Sequence, residues 1–216
     1  MQVENHLRSI VEGIKNTSRT NHNIFDRDGF FVIKNIVDVS PFNKEIPEGY
    51  GYYDHSNGNV ISREEGGVDD IRGTRHSRRS FPIFARAYLK VKQRIQKEIG
   101  KQLYNSYWFD RYYYNGSFLA PHSDRDACEI SCSIHISSNL KEPWAFGIED
   151  GDGNDHLITQ GVGDAVVYKG CERIHWRSPF PVNNPLKYHH NVFFHYVLKD
   201  GIRSHFAYDP ETDIGQ

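Results

Sequence analysis

The sequence predicts an α+β fold: a double-stranded β-helix (jelly roll) core with N-terminal helices packed on one sheet. Three observations predict it. Short strand-like runs follow one another from Tyr104 onward, turn residues separate them, and the stretch before them carries apolar residues at helical spacing. A chain of 216 residues is long enough for one substantial core and short for two. Residues 1–216 therefore read as a single domain, with a helical and lid-forming region over 1–100 and the jelly-roll core over 104–200.

Val3, Leu7, Ile10, Val11 and Ile14 recur at the spacing of an amphipathic helix, so residues 3–15 read as a helix packed on the rest of the fold. The polar stretch NTSRTNHN follows. Next, DRDGFFVIKNIVD is β-rich, is entered through Asp28-Gly29, and predicts the first strand. Residues 41–80 are rich in glycine, charge and tyrosine without a sustained period, the composition of a lid. Ile83, Phe84, Ala87, Val91, Ile95 and Ile99 predict a helix that ends at Gly100, covers one sheet face, and takes Ser80 as its cap. The runs SYWFDRYYY, CEISCSIHIS, WAFGIED, HLITQ, DAVVYKG and HNVFFHYVLKD read as strands, with GIEDGDGNDH and GVGD as turns.

Composition excludes several classes. No apolar run approaches the roughly 18 residues of a membrane span, and the N-terminus lacks the apolar core of a secretory signal. A cytoplasmic protein is the expectation. Three cysteines, Cys128, Cys132 and Cys171, are too few for a disulfide framework and read as free thiols. A net charge of −2 offers no global field to gather nucleic acid. Twelve histidines are many for this length, and histidine is the commonest protein metal ligand, so each needs sorting.

Within YYYNGSFLAPHSDRD, His122 and Asp124 stand at i and i+2 of an extended segment and so share a face. A metal needs a further ligand from another element, and His175 follows a β-run in GDAVVYKGCERIHWRSPF. Two imidazoles and a carboxylate form the facial arrangement of non-haem Fe(II) oxygenases, with coordination positions left open.

With Tyr113-x-x-Gly116, Pro121-His122-x-Asp124, the strand ISCSIHIS, the Gly163-Asp164-Ala165 turn, His175 and the closing strand VFFHYVLKDG in this order, the sequence resembles the Fe(II)- and 2-oxoglutarate-dependent dioxygenases, in particular their prolyl-4-hydroxylase-like branch. The likeness covers roughly 104–200, with weaker support from GFFVIKNIV. The resemblance implies iron held by His122, Asp124 and His175, and 2-oxoglutarate as cosubstrate, with ascorbate as an accessory reductant. It implies oxidative decarboxylation to succinate and CO2 coupled to hydroxylation of a prolyl or other protein residue. Tyr113 and His135 match positions that contact the cosubstrate in related enzymes. The family places an Arg or Lys on the strand after the distal histidine, and YHHNVFFHYV has neither. Alternation makes His189, Asn191, Phe193 and His195 the inward set of that strand. Arg177 or Lys187 is left to supply the permanent charge; Arg177 ranks first and His195 second.

Other readings stay open at this stage. His189 and His190 read as loop or strand-edge residues, and Arg177 as a candidate for a rim salt bridge. Cys128, Cys132, Cys171 and His175 form a conceivable zinc set without the usual paired knuckle. Arg75 and Arg78, in the basic stretch RGTRHSRRS with Arg72 and Arg79, are candidate substrate contacts for an acidic substrate or nucleic acid, against a solvated basic loop. The same chemistry on a nucleic-acid base or small metabolite, or a jelly-roll metal-binding module without catalysis, are the competing functions. The expected partner is a protein, peptide or small-molecule substrate.

Overall fold

The structure, a computed structural model, describes residues 21–42, 52–54, 75–79, 84–184 and 186–209, of which 52–54 and 75–79 are described by backbone alone. These residues are mostly β, in two antiparallel sheets with two α-helices. The helices are α1 (Asn21–Asp28) and α2 (Ala85–Ile99). The strands are β1 (Phe30–Ile33), β2 (Tyr52–Asp54), β3 (Arg75–Arg79), β4 (Leu103–Tyr113), β5 (Leu119–His122), β6 (Ile130–Ser138), β7 (Phe146–Glu149), β8 (Asp155–Ile158), β9 (Ala165–Lys169), β10 (His175–Arg177) and β11 (His189–Leu198). The larger sheet runs β1-β9-β6-β11-β4-β3-β2 and the smaller β5-β10-β7-β8.

Strand alternation sorts the side chains between two faces of the large sheet. Cys132, Ile134, Ile136, Val192, Phe194 and Tyr196 join the core beneath the helices, against Phe25 of α1 and Tyr88, Val91, Ile95 and Ile99 of α2. Each such fully buried side chain contributes about 1.5–3 kcal/mol by leaving water. The opposite face meets the small sheet, where Val166 and Tyr168 of β9 pack on Phe146 and Ile148 of β7. Ser131 and Ser133 pair across the ladder with Tyr168 and Val166, so they share this inner face, as do their β11 partners His195 and Phe193. A polar stripe therefore lies between the two sheets.

The helix ending at Gly100 forms as predicted, and Gly100 closes it in the left-handed conformation at φ 66°. Its N-cap position is Phe84, with no side-chain cap; Ser80 lies outside the described residues. The helix expected over 3–15 also lies outside them. Helix α1 takes up the end of the polar stretch NTSRTNHN and the start of the run DRDGFFVIKNIVD expected to be a strand: Phe25 is its one buried residue, too weak a stripe to show in the sequence. Within 41–80, expected to be a loop, β2 and β3 extend the large sheet. No described helix is long and apolar enough to cross a membrane.

Candidate metal centre

β5 ends at His122, and β10 begins at His175, its direct partner in the β5–β10 register. That pairing brings the two imidazole centroids to 4.2 Å. Asp124 follows β5 and is anchored by its backbone N–H, which donates to Gly170 O at 2.8 Å. Oδ1 of Asp124 lies 3.5 Å from Nε2 of His122 and 3.4 Å from Nε2 of His175. The ligating atoms of the three residues all lie within 4.8 Å of one another.

Both imidazoles are oriented by backbone carbonyls, Ala120 O at 2.8 Å from Nδ1 of His122 and Arg173 O at 3.0 Å from Nδ1 of His175. A carbonyl only accepts, so Nδ1 carries the proton and the lone pair of each neutral ring sits on Nε2, toward Asp124. Three electron-pair donors then converge, and a positive charge, as protons or as a metal ion, has to lie among them. Burial works against ionisation of Asp124, yet the charge of His175 and hydrogen bonds from His122 and His175 outweigh it and hold the carboxyl well below its usual range. Ser131 Oγ donates to Asp124 Oδ2 at 2.8 Å. Gly170 is required beside it: a Cβ there would stand 2.5 Å from Asp124 Oδ2, 2.8 Å from Ser131 Oγ, and against Cys128 O. Two histidines and one carboxylate are a donor set suited to ferrous iron.

A second convergent group, Asp124, Cys128 and His195, shares the carboxylate. In it burial pushes the Cys128 thiol up, so the sulfur keeps its proton and is a poor ligand; Cys128 Sγ lies 3.1 Å from Tyr107 Oη, and His195 Nδ1 lies 2.9 Å from Ser131 Oγ. The first group, with lone pairs aimed at one another, is the better metal site. The four-residue zinc reading does not survive, because Cys132 packs in the core beneath the helices whereas His175 lies against Tyr168 and Phe146 between the sheets.

Arg177 shares the buried face of β10 with His175. Its guanidinium lies over the rings of Trp144 and Phe146 at 5.0 and 5.5 Å, and donates to Trp144 O at 2.8 Å and Gln160 Oε1 at 3.3 Å. The rim salt bridge is not formed: Arg177 is buried rather than at the rim, and no carboxylate among the described residues pairs with it. Burial pulls its pKa down to about 10, so it remains a cation at neutral pH. Around it, Tyr113 Oη, His135 Nε2, His189 Nδ1 and Arg177 Nε are buried with no hydrogen-bond partner among the described residues. Trp144 ties them together, 5.1 Å from the Tyr113 ring and 5.5 Å from His189, which stacks on His135 at 4.4 Å. A buried cation beside orphaned donors, the Tyr113 hydroxyl among them, is what a bound carboxylate would satisfy; His135, whose Nδ1 donates to Gln160 O at 3.0 Å, has only a lone pair on Nε2.

The structure thus brings Tyr113, His135 and Arg177 together, but His195 does not join them. It lies at the metal end, bonded to Ser131, tilted against Tyr107 at 4.7 Å and stacked on Phe109 at 5.6 Å. Lys187 is spent at the surface, donating to Asn139 O at 2.8 Å. Arg75 pairs in register with Tyr113 and Arg78 with Asp110, and only the backbone of β3 is described. His189 and His190 are buried in β11, against the reading of them as edge residues. His189 and Asn191 stand in the inward set that alternation predicts for the closing strand, though Arg177 and His195 rank ahead of them; Gln160 and Trp144 carry no signal in the sequence.

No family model matches this sequence, and no curated protein does. Solved structures do. An oxidoreductase of the 2OG-Fe(II) oxygenase family from Burkholderia pseudomallei is similar with a TM-score of 0.62 at 10% identity, over 88% of this chain and 93% of that one. A prolyl-4-hydroxylase from Pseudomonas putida is similar at 0.55 and 12% identity, over 81% and 95%. HygX from Streptomyces hygroscopicus, with nickel and 2-oxoglutarate bound, is similar at 0.58 and 14% identity, over 80% and 84%. The two packed sheets of this chain therefore have the fold of the 2OG-Fe(II) oxygenases.

Proposed function

We propose that this chain is an Fe(II)- and 2-oxoglutarate-dependent oxygenase that hydroxylates a C–H bond of a protein residue, prolyl among them, or of a small molecule. The carrying observation is one arrangement: the lone pairs of His122, Asp124 and His175 converge, and a buried cation with no carboxylate partner among the described residues, Arg177, stands two residues further along β10. Residues two apart on a strand are roughly 7 Å apart, a span suited to a short dicarboxylate held at both ends. In this reading residues 104–200 are the jelly-roll core of a single domain. Its solved relatives include a prolyl-4-hydroxylase and an enzyme with nickel and 2-oxoglutarate bound, which supports both the substrate class and the cosubstrate.

The residues present fit the metal and cosubstrate. His122, Asp124 and His175 would hold ferrous iron, and Arg177 with Tyr113 Oη would hold the distal carboxylate of 2-oxoglutarate. Bound there, iron and cosubstrate supply oxidation by O2 coupled to decarboxylation, releasing succinate and CO2. The protein's own part is positioning. The carbonyls of Ala120 and Arg173 fix the imidazole tautomers, and Ser131 fixes the carboxylate. Trp144, Phe146 and Phe180 keep water from the buried cation, which strengthens its hold on an anion.

Incubation with Fe(II), ascorbate and 2-oxoglutarate should release succinate, and the Asp124→Ala protein should release none. Equal release by both would remove the proposal.

A further inference from the structure

The two stacked histidines beside Arg177 differ in which nitrogen carries a proton. His135 Nδ1 lies 3.0 Å from the carbonyl of Gln160, so it must donate there. That leaves a bare lone pair on its buried Nε2, which repels an anion unless the ring gains a second proton. Burial, reinforced by the charge of Arg177, lowers the pKa of His135 and opposes that gain.

His189 is set the other way, through Asn191. The Asn191 amide satisfies its neighbours in one orientation only. Oδ1 then accepts from Arg177 Nη2 at 3.0 Å and from Ser133 Oγ at 2.7 Å, while Nδ2 donates to His189 Nε2 at 2.6 Å and His190 O at 3.3 Å. Since Nε2 of His189 accepts, its proton resides on Nδ1, the atom that is buried with no partner among the described residues. Burial first, and then the charges of Arg177 and His135, hold the pKa of His189 well below its usual range, so the ring stays neutral. A neutral N–H donor beside a permanent cation is therefore prepared within the protein, with Asn191 hydrogen-bonded to both.

We propose that His189, locked by Asn191 as the neutral Nδ1–H tautomer, donates to the distal carboxylate of 2-oxoglutarate alongside Arg177, and that Asn191 is the positioning residue that aims both. This rests on the oxygenase reading above. It replaces the missing Arg or Lys of the closing strand by a neutral donor on that strand and a cation on the strand of the distal metal histidine. His135 acts as the stacking face that orients the His189 ring.

The test is anaerobic calorimetry of the Fe(II)-loaded protein with two probes, 2-oxoglutarate and pyruvate, the second having the 2-oxoacid head and no distal carboxylate. His189→Leu should weaken 2-oxoglutarate binding about tenfold to a hundredfold, as expected for losing a hydrogen bond to a charged group, and leave pyruvate binding unchanged. His189→Gln, which keeps a neutral N–H donor, should recover most of the loss. Unchanged 2-oxoglutarate binding in His189→Leu, or equal weakening of both acids, would overturn the proposal. Should the variant not fold, long-range 1H–15N correlation on the wild-type protein decides: a proton on Nδ1 of His189 is expected, and a proton on Nε2 refutes it. A wild-type protein that binds neither acid overturns the oxygenase reading itself, and this inference with it.

Discussion

Nε2 of His175 stands 3.4 Å from Oδ1 of Asp124, with the Nδ1 proton of the same ring already committed to Arg173 O. A proton and a metal ion therefore compete for one place. Metal affinity should fall as the pH is lowered, because binding has to displace protons from the Nε2 atoms of His122 and His175. Mn(II) titrations at several pH values, with proton release measured in weakly buffered solution, check this. His175→Ala should lose more than about a hundredfold in affinity, since even residues that merely orient a ligand are worth about 10–100-fold.

Ser131 donates to Asp124, while its Oγ is also 2.9 Å from His195 Nδ1. Asp124 and the carbonyl of Cys128, at 3.1 Å, can only accept. Once the Ser131 proton goes to either, His195 must donate to Ser131. Ser131→Ala should cost about 10–100-fold in metal affinity in a chelator competition, with the protein still folded. A change under about twofold would mean that Asp124 is held by its backbone alone.

Gly170 leaves no space for a methyl group between Asp124, Ser131 and the Cys128 carbonyl. Gly170→Ala must move backbone as well as side chains, so it should destabilise the fold by about 1–3 kcal/mol and also weaken metal binding. Chemical denaturation with and without Mn(II) separates the two effects. The same substitution at Gly153, where a Cβ meets nothing within 4 Å, provides a comparison away from the metal, though its φ of +83° carries its own strain.

Arg177 is a fully buried guanidinium without a carboxylate partner among the described residues, a state that opposes folding and suits binding. Arg177→Met should leave the metal-free protein as stable or up to about 1–4 kcal/mol more stable, while 2-oxoglutarate binding is lost. Thermal melts and calorimetry on one preparation give both numbers. A large drop in melting temperature would show that the hydrogen bonds to Trp144 and Gln160 outweigh the cost of burial.

Asp164 accepts from Lys34 Nζ at 2.7 Å, Asn35 N at 3.1 Å and Gly161 N at 2.8 Å, joining the end of β1 to the turn that carries Gln160 toward Arg177. Burial works against its charge, but Lys34 and the two N–H groups prevail and the pKa is lowered. A folded pKa below the unfolded value, near 3.9, gives stability that is present above that value and lost as pH falls through the folded one. Asp164→Asn should cost about 1–2 kcal/mol at neutral pH and flatten the acid limb of a urea-stability profile below about pH 4.

What could be read from the chain follows from how local each signal is. His122, Asp124 and His175 stood out because a strand-end i, i+2 pair and a later strand-end histidine need no knowledge of packing. The stripe from Ala87 to Ile99 and its stop at Gly100 were equally local. The cosubstrate cradle was less legible. His189 differs from His195 only by strand position, and the partner of each is set by sheet register, which a single strand does not reveal. Helix α1 escaped notice because eight residues with one buried side chain leave almost no periodic trace.

The account turns on iron and 2-oxoglutarate meeting at His122, Asp124 and His175. Anaerobic titration of the Fe(II) protein with 2-oxoglutarate, followed by visible absorption, tests this most directly, since chelation of ferrous iron by a 2-oxoacid gives a charge-transfer band. The account predicts a band that saturates with one cosubstrate per chain and is absent in Asp124→Ala and His175→Ala. No band in the wild-type protein, or an undiminished band in either variant, would contradict it.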